Sequence, residues 1–566
     1  MDFGYTFSNG GAEALRLAAA GEQMTAIDAL GSGSITLSGT EYPVLISTLS
    51  TIQSFELASA LAKKYHRDNP ALDVAAYWHA MTEIHQSRED EAIGIATAAM
   101  QKTGQTPDLL AVVGLALLSV QSLEYAGKAF QSALQQQAKP IVFAYLAEVL
   151  RLMGQPERAI AIMGRCFSAG CEDAEAYFLA GNAYYDAGQI QKAFSHYDQA
   201  LGLKPYYIDA HNALNRTAWE HRQKDKFLDS FAIATKRYPD LLELHLRHAQ
   251  FHIMAGKLDE AINILEQCKD RFAPNARVMA ELAEARRQKN PEFDASSLYE
   301  KAYELDARDL GLLKSYGRGL IETANYEKAA AVMQEARSIH PFDQECIAYL
   351  ATANVHVNPA EAARVNDYEN FVQAYDLAPP SGAADIASFN SSLLQALHAL
   401  HRADVAPIDQ TLVHGTQTHG NLFTNNRPEI QALKGQISNY VQRYIEHLRT
   451  LGLGEFCDRI SNGFDYSGAW SVQLSDGGFH LDHVHSAGWI SSVYYVEVPD
   501  NLDAASHEGW LKFGDAVFDP NNTGPHRYVE PKPGRLVLFP SFMIHGTVPI
   551  KVHKRRTTVA FDVVPT

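Results

Sequence analysis

The chain has 566 residues, 46% of them hydrophobic, and its 48 Lys and Arg against 66 Asp and Glu leave a net charge of −18. Binding phosphate over a large face needs clustered cations, so this balance excludes a nucleic-acid surface as the main business. The longest near-continuous apolar run, Leu109 to Val120, has 12 residues, short of the roughly 20 that a membrane-spanning helix needs, and no membrane partner is expected.

Met1 to Gly11 shows no basic stretch leading into an apolar one, so no secretory leader is expected. Five scattered cysteines, Cys166, Cys171, Cys268, Cys346 and Cys457, never form C-x-x-C. That spacing excludes a disulfide framework and a cysteine zinc site, fits a reducing compartment, and makes the cytoplasm the expected location. Residues 1–70 read as a helical region, broken by the Gly-Ser stretch from Gly31 to Gly39.

From about residue 71 the sequence repeats itself every 34 residues or so. Around 174–207, Tyr177, Ala180, Gly181 and Tyr184 have the spacing of one helix, Ala193, Tyr197 and Ala200 that of a second, and Pro205 stops it. The same frame returns as Gly114, Ala126, Phe130 and Ala133, and again as Gly317, Ala329, Met333, Ala336 and Pro341. Small residues at positions 8, 20 and 27 let two antiparallel helices approach, and larger ones at 4, 11 and 24 fill the remaining space. About eight copies over residues 71–341 resemble tetratricopeptide repeats. The resemblance implies an all-α superhelix whose concave groove takes a protein or peptide partner, against the plainer reading of a rigid spacer. Residues 342–400 read as capping helices and a linker, with a helix stop at Ala378-Pro379-Pro380-Ser381-Gly382-Ala383.

Helical patterns resume at Phe389–Leu400 and Pro428–Leu448. The second places Ile430, Leu433, Ile437, Val441, Tyr444 and Leu448 on one face, and Pro428 suits a first turn. From Trp470 the period falls from 3.6 to 2. Strands are expected at Trp470–Leu474, Phe479–His485, Trp489–Val498, Gly509–Phe513, Arg535–Phe539, His545–Ile550 and Thr557–Val564, with Ser492–Val498 and Leu536–Phe539 at the centre of a sheet. Residues 401–566 thus read as an α+β unit whose β part is a sandwich or small barrel.

The chemistry gathers in the last hundred residues. Phe479-His480-Leu481-Asp482-His483-Val484-His485 holds three histidines and an aspartate, His545 follows the strand Gly534–Pro540, and Arg555-Arg556-Thr557-Thr558 opens the last strand. Two ligands at i and i+2 with a third from a facing strand make a facial metal site that leaves positions open. An arginine beside it offers a two-pronged donor to a carboxylate. Strand alternation forbids His480/Asp482 and His483/His485 from sharing one metal; the first pair would complete a His-x-Asp…His triad, the second a set of three histidines.

This layout resembles the 2-oxoglutarate/Fe(II)-dependent dioxygenases, in particular the branch that follows tetratricopeptide repeats. His483-Val484-His485, Ile490 to Tyr495, Gly509-Trp510-Leu511, Gly534 to Pro540, His545, Arg556-x-Thr558 and upstream Gly415 to Thr418 carry the resemblance. It implies a double-stranded β-helix (a jelly roll) and a hydroxylase using Fe(II) and 2-oxoglutarate. It favours His483, His485 and His545 as metal ligands, with Asp482 facing away or supporting a ligand, and it gives the cosubstrate Arg556, Thr558 and Tyr495. Trp470, Trp489 and Trp510 are expected in the core. A cupin is the nearest competitor, but Ser486-Ala487-Gly488-Trp489-Ile490 lacks the glutamate that fold wants. Two readings stand beside the enzyme that hydroxylates a protein. One is a repeat scaffold whose β-helix no longer turns over, and the other is a small-metabolite oxygenase that uses the repeats for assembly.

Overall fold

A computed structural model describes residues 5–452, 454–461, 463–551 and 553–566. The chain divides into two compact units, Met1–Trp219 with Gln223–Val278, and Glu220–Arg222 with Met279–Thr566. Many helices form a tetratricopeptide superhelix in the N-terminal part, and an antiparallel β domain of jelly-roll type follows. Among the described residues no helix is long and apolar enough to cross a membrane.

Helix pairs recur with the expected step. Their first helices begin at Asp73, Pro107, Ile141, Ala174, Ile208, Leu242, Ala276, Leu310 and Gln344, each 33 or 34 residues after the last. Two further pairs lie upstream, Asn9–Ala19 with Gln23–Gly31 and Glu41–Thr51 with Phe55–Asp68. The Gly-Ser stretch between them has a use. Ser38 donates its backbone N–H and its hydroxyl to Glu41 at 2.8 Å each, and the Ser8 N–H donates to the same carboxylate at 2.5 Å. Burial works against the charge on Glu41, but these donors outweigh it and hold the carboxyl down at about 2.

The close approach inside each pair is visible at position 8. A Cβ at Gly114 would strike the Phe130 ring, one at Gly181 the Tyr197 ring, and one at Gly317 the end of Met333. Each obstacle is the position-24 residue of the same repeat, so the small and large positions are two halves of one contact.

In the second unit, strands β1 (Gln373–Asp376), β2 (Leu412–Gln417), β3 (Phe464–His480), β4 (Ile490–Glu497), β5 (Leu511–Phe513), β6 (Arg527–Val529), β7 (Arg535–Pro540), β8 (His545–Thr547) and β9 (Arg556–Pro565) form two sheets. The larger has the order β1-β7-β4-β9-β3-β2 and the smaller β6-β5-β8, with every pairing antiparallel. As expected, β4 and β7 are buried inside the sheet. Helices Ile386–His398 and Pro428–Leu451 cover its outer face, burying Leu393, Ile437, Val441 and Tyr444 with Tyr494, Leu536, Leu538 and Phe561. Tyr494 donates to Asn390 Oδ1 at 2.7 Å, and the Asn390 amide donates to the Val496 carbonyl at 3.1 Å, pinning the first helix to β4. At the repeat end of this unit, Asp519 receives Tyr326 Oη at 2.6 Å and sits 2.9 Å from His356 Nε2.

The strand expectations need correction at three places. Trp470–Leu474 and Phe479–His485 are not two strands: a single long β3 ends at His480. Gly477, at φ +72°, bends the ribbon instead of ending it, and Gly478 leaves room for the His414 carbonyl. Beyond His480 the chain leaves the sheet, so His483 and His485 are not strand residues, and only His483 pairs, as an isolated bridge to His545. The expected Gly509–Phe513 and His545–Ile550 shorten to β5 and β8. The strands β1, β2 and β6, absent from the expectation, are short, and their pairing partners rather than their own patterns make them strands.

Two outcomes follow. Gly181→Ala gains about 1 kcal/mol of helix propensity but overpacks a site where Tyr197 is buried and hydrogen-bonded to Asn182 at 2.9 Å. Overpacking costs about 1–3 kcal/mol, so the net effect is destabilising; Gly317→Ala, facing a flexible methionine end, comes out near neutral, both read by urea unfolding. The depressed Glu41 carboxyl contributes stability that is complete above the ordinary value of 4.5 and drains away as pH falls toward 2. Glu41→Gln therefore lowers the melting temperature at neutral pH and flattens its acid dependence across that window.

Candidate metal centre

Two chain segments meet between the two sheets. His483, His485 and His545 each offer one ring nitrogen to a group whose members all lie within 4.8 Å of one another. Backbone pairing builds it: His483 N–H donates to the His545 carbonyl at 2.9 Å, His545 N–H returns the bond at 3.0 Å, and His485 N–H donates to the Ser541 carbonyl at 3.1 Å.

The ring orientations are set from behind. Nδ1 of His483 lies 2.7 Å from the Leu481 carbonyl, Nδ1 of His545 2.8 Å from the Met543 carbonyl, and Nδ1 of His485 2.7 and 2.8 Å from the two oxygens of Asp562. Each acceptor demands an Nδ1 proton, which leaves Nε2 with a lone pair. The Nε2 atoms of His483 and His485 lie 3.1 Å apart, and Phe539 packs edge-on against the His545 ring at 4.6 Å. Burial pushes His483 down to about 3 and His545 well below the usual histidine range, so both rings are neutral donors at ordinary pH.

The alternative pair separates. Asp482 turns to Lys512 Nζ at 2.7 Å, which also binds Asp515 at 2.5 Å, and it lies against Gly546. His480 ends β3 and lines the same cavity as the triad, with Nδ1 3.4 Å from Thr411 Oγ1. His480 and Asp482 therefore do not join His545 in a common group.

A cavity of about 500 Å³ opens onto the three imidazoles and continues to Arg556 and Thr558 on β9. Register places Arg556, Thr558, Ala560 and Asp562 on one face of β9, opposite Leu474, Val472, Trp470 and Gly468 of β3. Arg556 is 3% exposed. One guanidinium nitrogen donates to the Gly509 carbonyl at 2.7 Å, and its Nε has no partner. Burial lowers its pKa. Among the described residues no carboxylate pairs with it. Tyr495 stands behind it, its ring 5.2 Å from the guanidinium carbon and its hydroxyl buried without a partner; it does not line the cavity. Tyr495 thus backs the arginine.

Trp489 is fully buried, as expected. Trp470 instead faces the cavity and stacks on His485 with ring centroids 5.7 Å apart, and Trp510 is half-buried against His507. Sequence reasoning missed the part played by Asp562 and by its partner Ser491, whose hydroxyl donates to it at 2.7 Å. The alternation along β9 puts Asp562 on the face of Arg556, but only the tertiary fold brings His485 to it.

The donor set suits a first-row divalent metal: three imidazole nitrogens converge on one side and leave the cavity side open. A buried guanidinium with an unpaired Nε in the same cavity suits an anionic ligand beside that metal. His483→Ala, His485→Ala and His545→Ala are each expected to abolish metal binding, since a three-ligand site has none to spare. Asp482→Ala should leave binding in place. Calorimetric titration of the metal-free protein with Fe(II) under anaerobic conditions, beside circular dichroism to check the fold, reads both outcomes.

Comparisons with known proteins find likenesses to both parts of the chain. Residues 468–562 match the family model described as "Putative 2OG-Fe(II) oxygenase", and residues 174–207 match the tetratricopeptide repeat model. No curated protein matches the chain. Among solved structures, a thermophilic TPR protein in Thermus thermophilus is similar at 18% identity over 31% of this chain and 99% of that one, with a TM-score of 0.28. A tetratricopeptide repeat protein from Parabacteroides merdae is similar at 17% identity over 43% and 97%, with a TM-score of 0.28. YrrB, a TPR protein with an unusual peptide-binding site, is similar at 19% identity over 31% and 91%, with a TM-score of 0.21. The chain carries tetratricopeptide repeats and, at its C-terminus, a domain matching the model so described, with a histidine triad compatible with iron binding.

Proposed function

We propose that the protein is a 2-oxoglutarate- and Fe(II)-dependent dioxygenase that hydroxylates a protein or peptide recruited by its repeats. The observation that carries this reading is one cavity holding both the convergent triad and the buried, incompletely paired Arg556. In the proposed roles, His483, His485 and His545 hold the metal through Nε2, and Arg556 takes the distal carboxylate of 2-oxoglutarate. Thr558, two residues along the same face of β9, offers a hydroxyl to that carboxylate. Fe(II), 2-oxoglutarate and O₂ together supply the oxidising chemistry, with succinate and CO₂ released as a C–H bond becomes C–OH.

The residues of the chain do the rest. Leu481, Met543 and Asp562 keep the three imidazoles in the Nε2-presenting tautomer, and Phe539 and Trp470 pack against their rings and limit water. Tyr495 and the Gly509 carbonyl hold the guanidinium in place, so it has little freedom to lose when an anion arrives. The recruitment step rests on the general habit of these repeats, whose stacked helices offer an extended face to a protein segment.

A hydrogen bond to a charged, buried group is worth about 1.5–3 kcal/mol, and about 1.4 kcal/mol is tenfold in affinity. Arg556→Ala is therefore expected to weaken 2-oxoglutarate binding by about 10- to 100-fold with Fe(II) affinity almost unchanged. Arg556→Lys recovers only part, because an ammonium lacks the two-pronged shape. Arg555, exposed at the entry to β9, serves as the control and should tolerate alanine. Succinate formation by the full-length protein tests the reaction itself; iron-loaded protein that never forms succinate with any peptide library would count against it.

A further inference from the structure

The triad has no carboxylate among its members, whereas the common facial site for non-haem iron has two histidines and one carboxylate. Directly behind it lies a buried one. Asp562 is 9% exposed and presents both oxygens to His485 Nδ1, at 2.7 and 2.8 Å. Its own position is over-determined. Ser491 Oγ donates to Asp562 at 2.7 Å and lies 2.8 Å from Ser541 Oγ, while Ser541 accepts the His485 N–H at its carbonyl. Gly488 leaves the space these groups occupy: a Cβ there would strike Ser541 Oγ and stand 3.3 Å from Asp562 Cγ. The other two histidines lean on backbone carbonyls, which carry no formal charge.

Resting on the metal-site reading above, we infer that Asp562 is a positioning residue that supplies, through His485, the negative charge the ligand set itself lacks. A proton shared between Nδ1 and a carboxylate makes the imidazole a stronger donor at Nε2 than one backed by a carbonyl. The charge sits one residue behind the metal rather than on it, which leaves the ligand positions themselves to three imidazole nitrogens.

The test compares wild type, Asp562→Asn and Asp562→Glu in the full-length metal-free protein. Each is titrated anaerobically with Co(II), reading the dissociation constant and the visible ligand-field bands of the bound ion, with the metal-free melting temperature measured beside them. Asparagine keeps the shape and one acceptor oxygen but removes the charge. The expected result is a loss of about 10- to 100-fold in Co(II) affinity and displaced bands, with the melting temperature of the metal-free protein held. Glutamate should restore the band positions in part, because it returns the charge with altered reach. Wild-type affinity and unchanged bands in Asp562→Asn overturn the inference while leaving the metal site standing. So does an affinity loss that only mirrors a fallen melting temperature, because the role is then structural. If wild type itself binds no Co(II) or Fe(II), it is the metal-site reading that fails.

Discussion

Two reciprocal backbone hydrogen bonds between His483 and His545 hold the candidate centre together. They join a segment that has just left the larger sheet to the first residue of β8 in the smaller one, so the two sheets meet where the ligands are. A bond of this kind depends on no side chain, and it fixes the separation of the two imidazole stems before any metal arrives. The third histidine follows from it: with His483 fixed, the His485 N–H reaches Ser541, just beyond the end of β7, and its ring comes to lie against Asp562 of β9. Strands from both sheets and one irregular segment are thus tied to a point, which is the rigidity a metal site needs.

The same region holds a second kind of tension. Burying a guanidinium without a carboxylate costs free energy that one carbonyl bond and an aromatic face only partly offset. Arg556 nevertheless sits 3% exposed on such partners, on the cavity side of the sheet. Asp482, by contrast, is neutralised outside the cluster by Lys512, which keeps its charge from the imidazoles. The charges of the site are therefore sorted: a guanidinium and three imidazoles line one cavity, and a carboxylate stands behind one of the imidazoles.

In the helical part the controlling constraint is steric. Gly114, Gly181 and Gly317 each face the bulky position-24 residue of their own repeat, so helix separation is set by the contact of a missing side chain with a ring or thioether. Each such contact lies within one 34-residue repeat, so a short sequence window suffices to recognise it, whereas Gly21 against Leu242 and Gln53 with Asp209 and Arg247 join the N-terminal pairs to distant repeats.

That locality explains what the sequence determined by itself. The 34-residue period, the positions of small and large residues, and the change of period near Trp470 are all local patterns, and from them the repeat superhelix and the following β domain were legible. So were the three histidines and Arg556, because unusual residue types at close spacing survive without knowledge of the fold. The long β3 was not legible, since a glycine pair reads equally as a turn or as a bend, and only pairing with β2 and β9 selects the bend. The short strands β1 and β6 owe their conformation to partners more than a hundred and about fifteen residues away in the chain, respectively. The choice between His480/Asp482 and His483/His485 could not come from alternation, because the segment after His480 is no strand. Nor could the place of Asp562: 77 residues separate it from His485, and their contact exists only once β4, β7 and β9 are side by side.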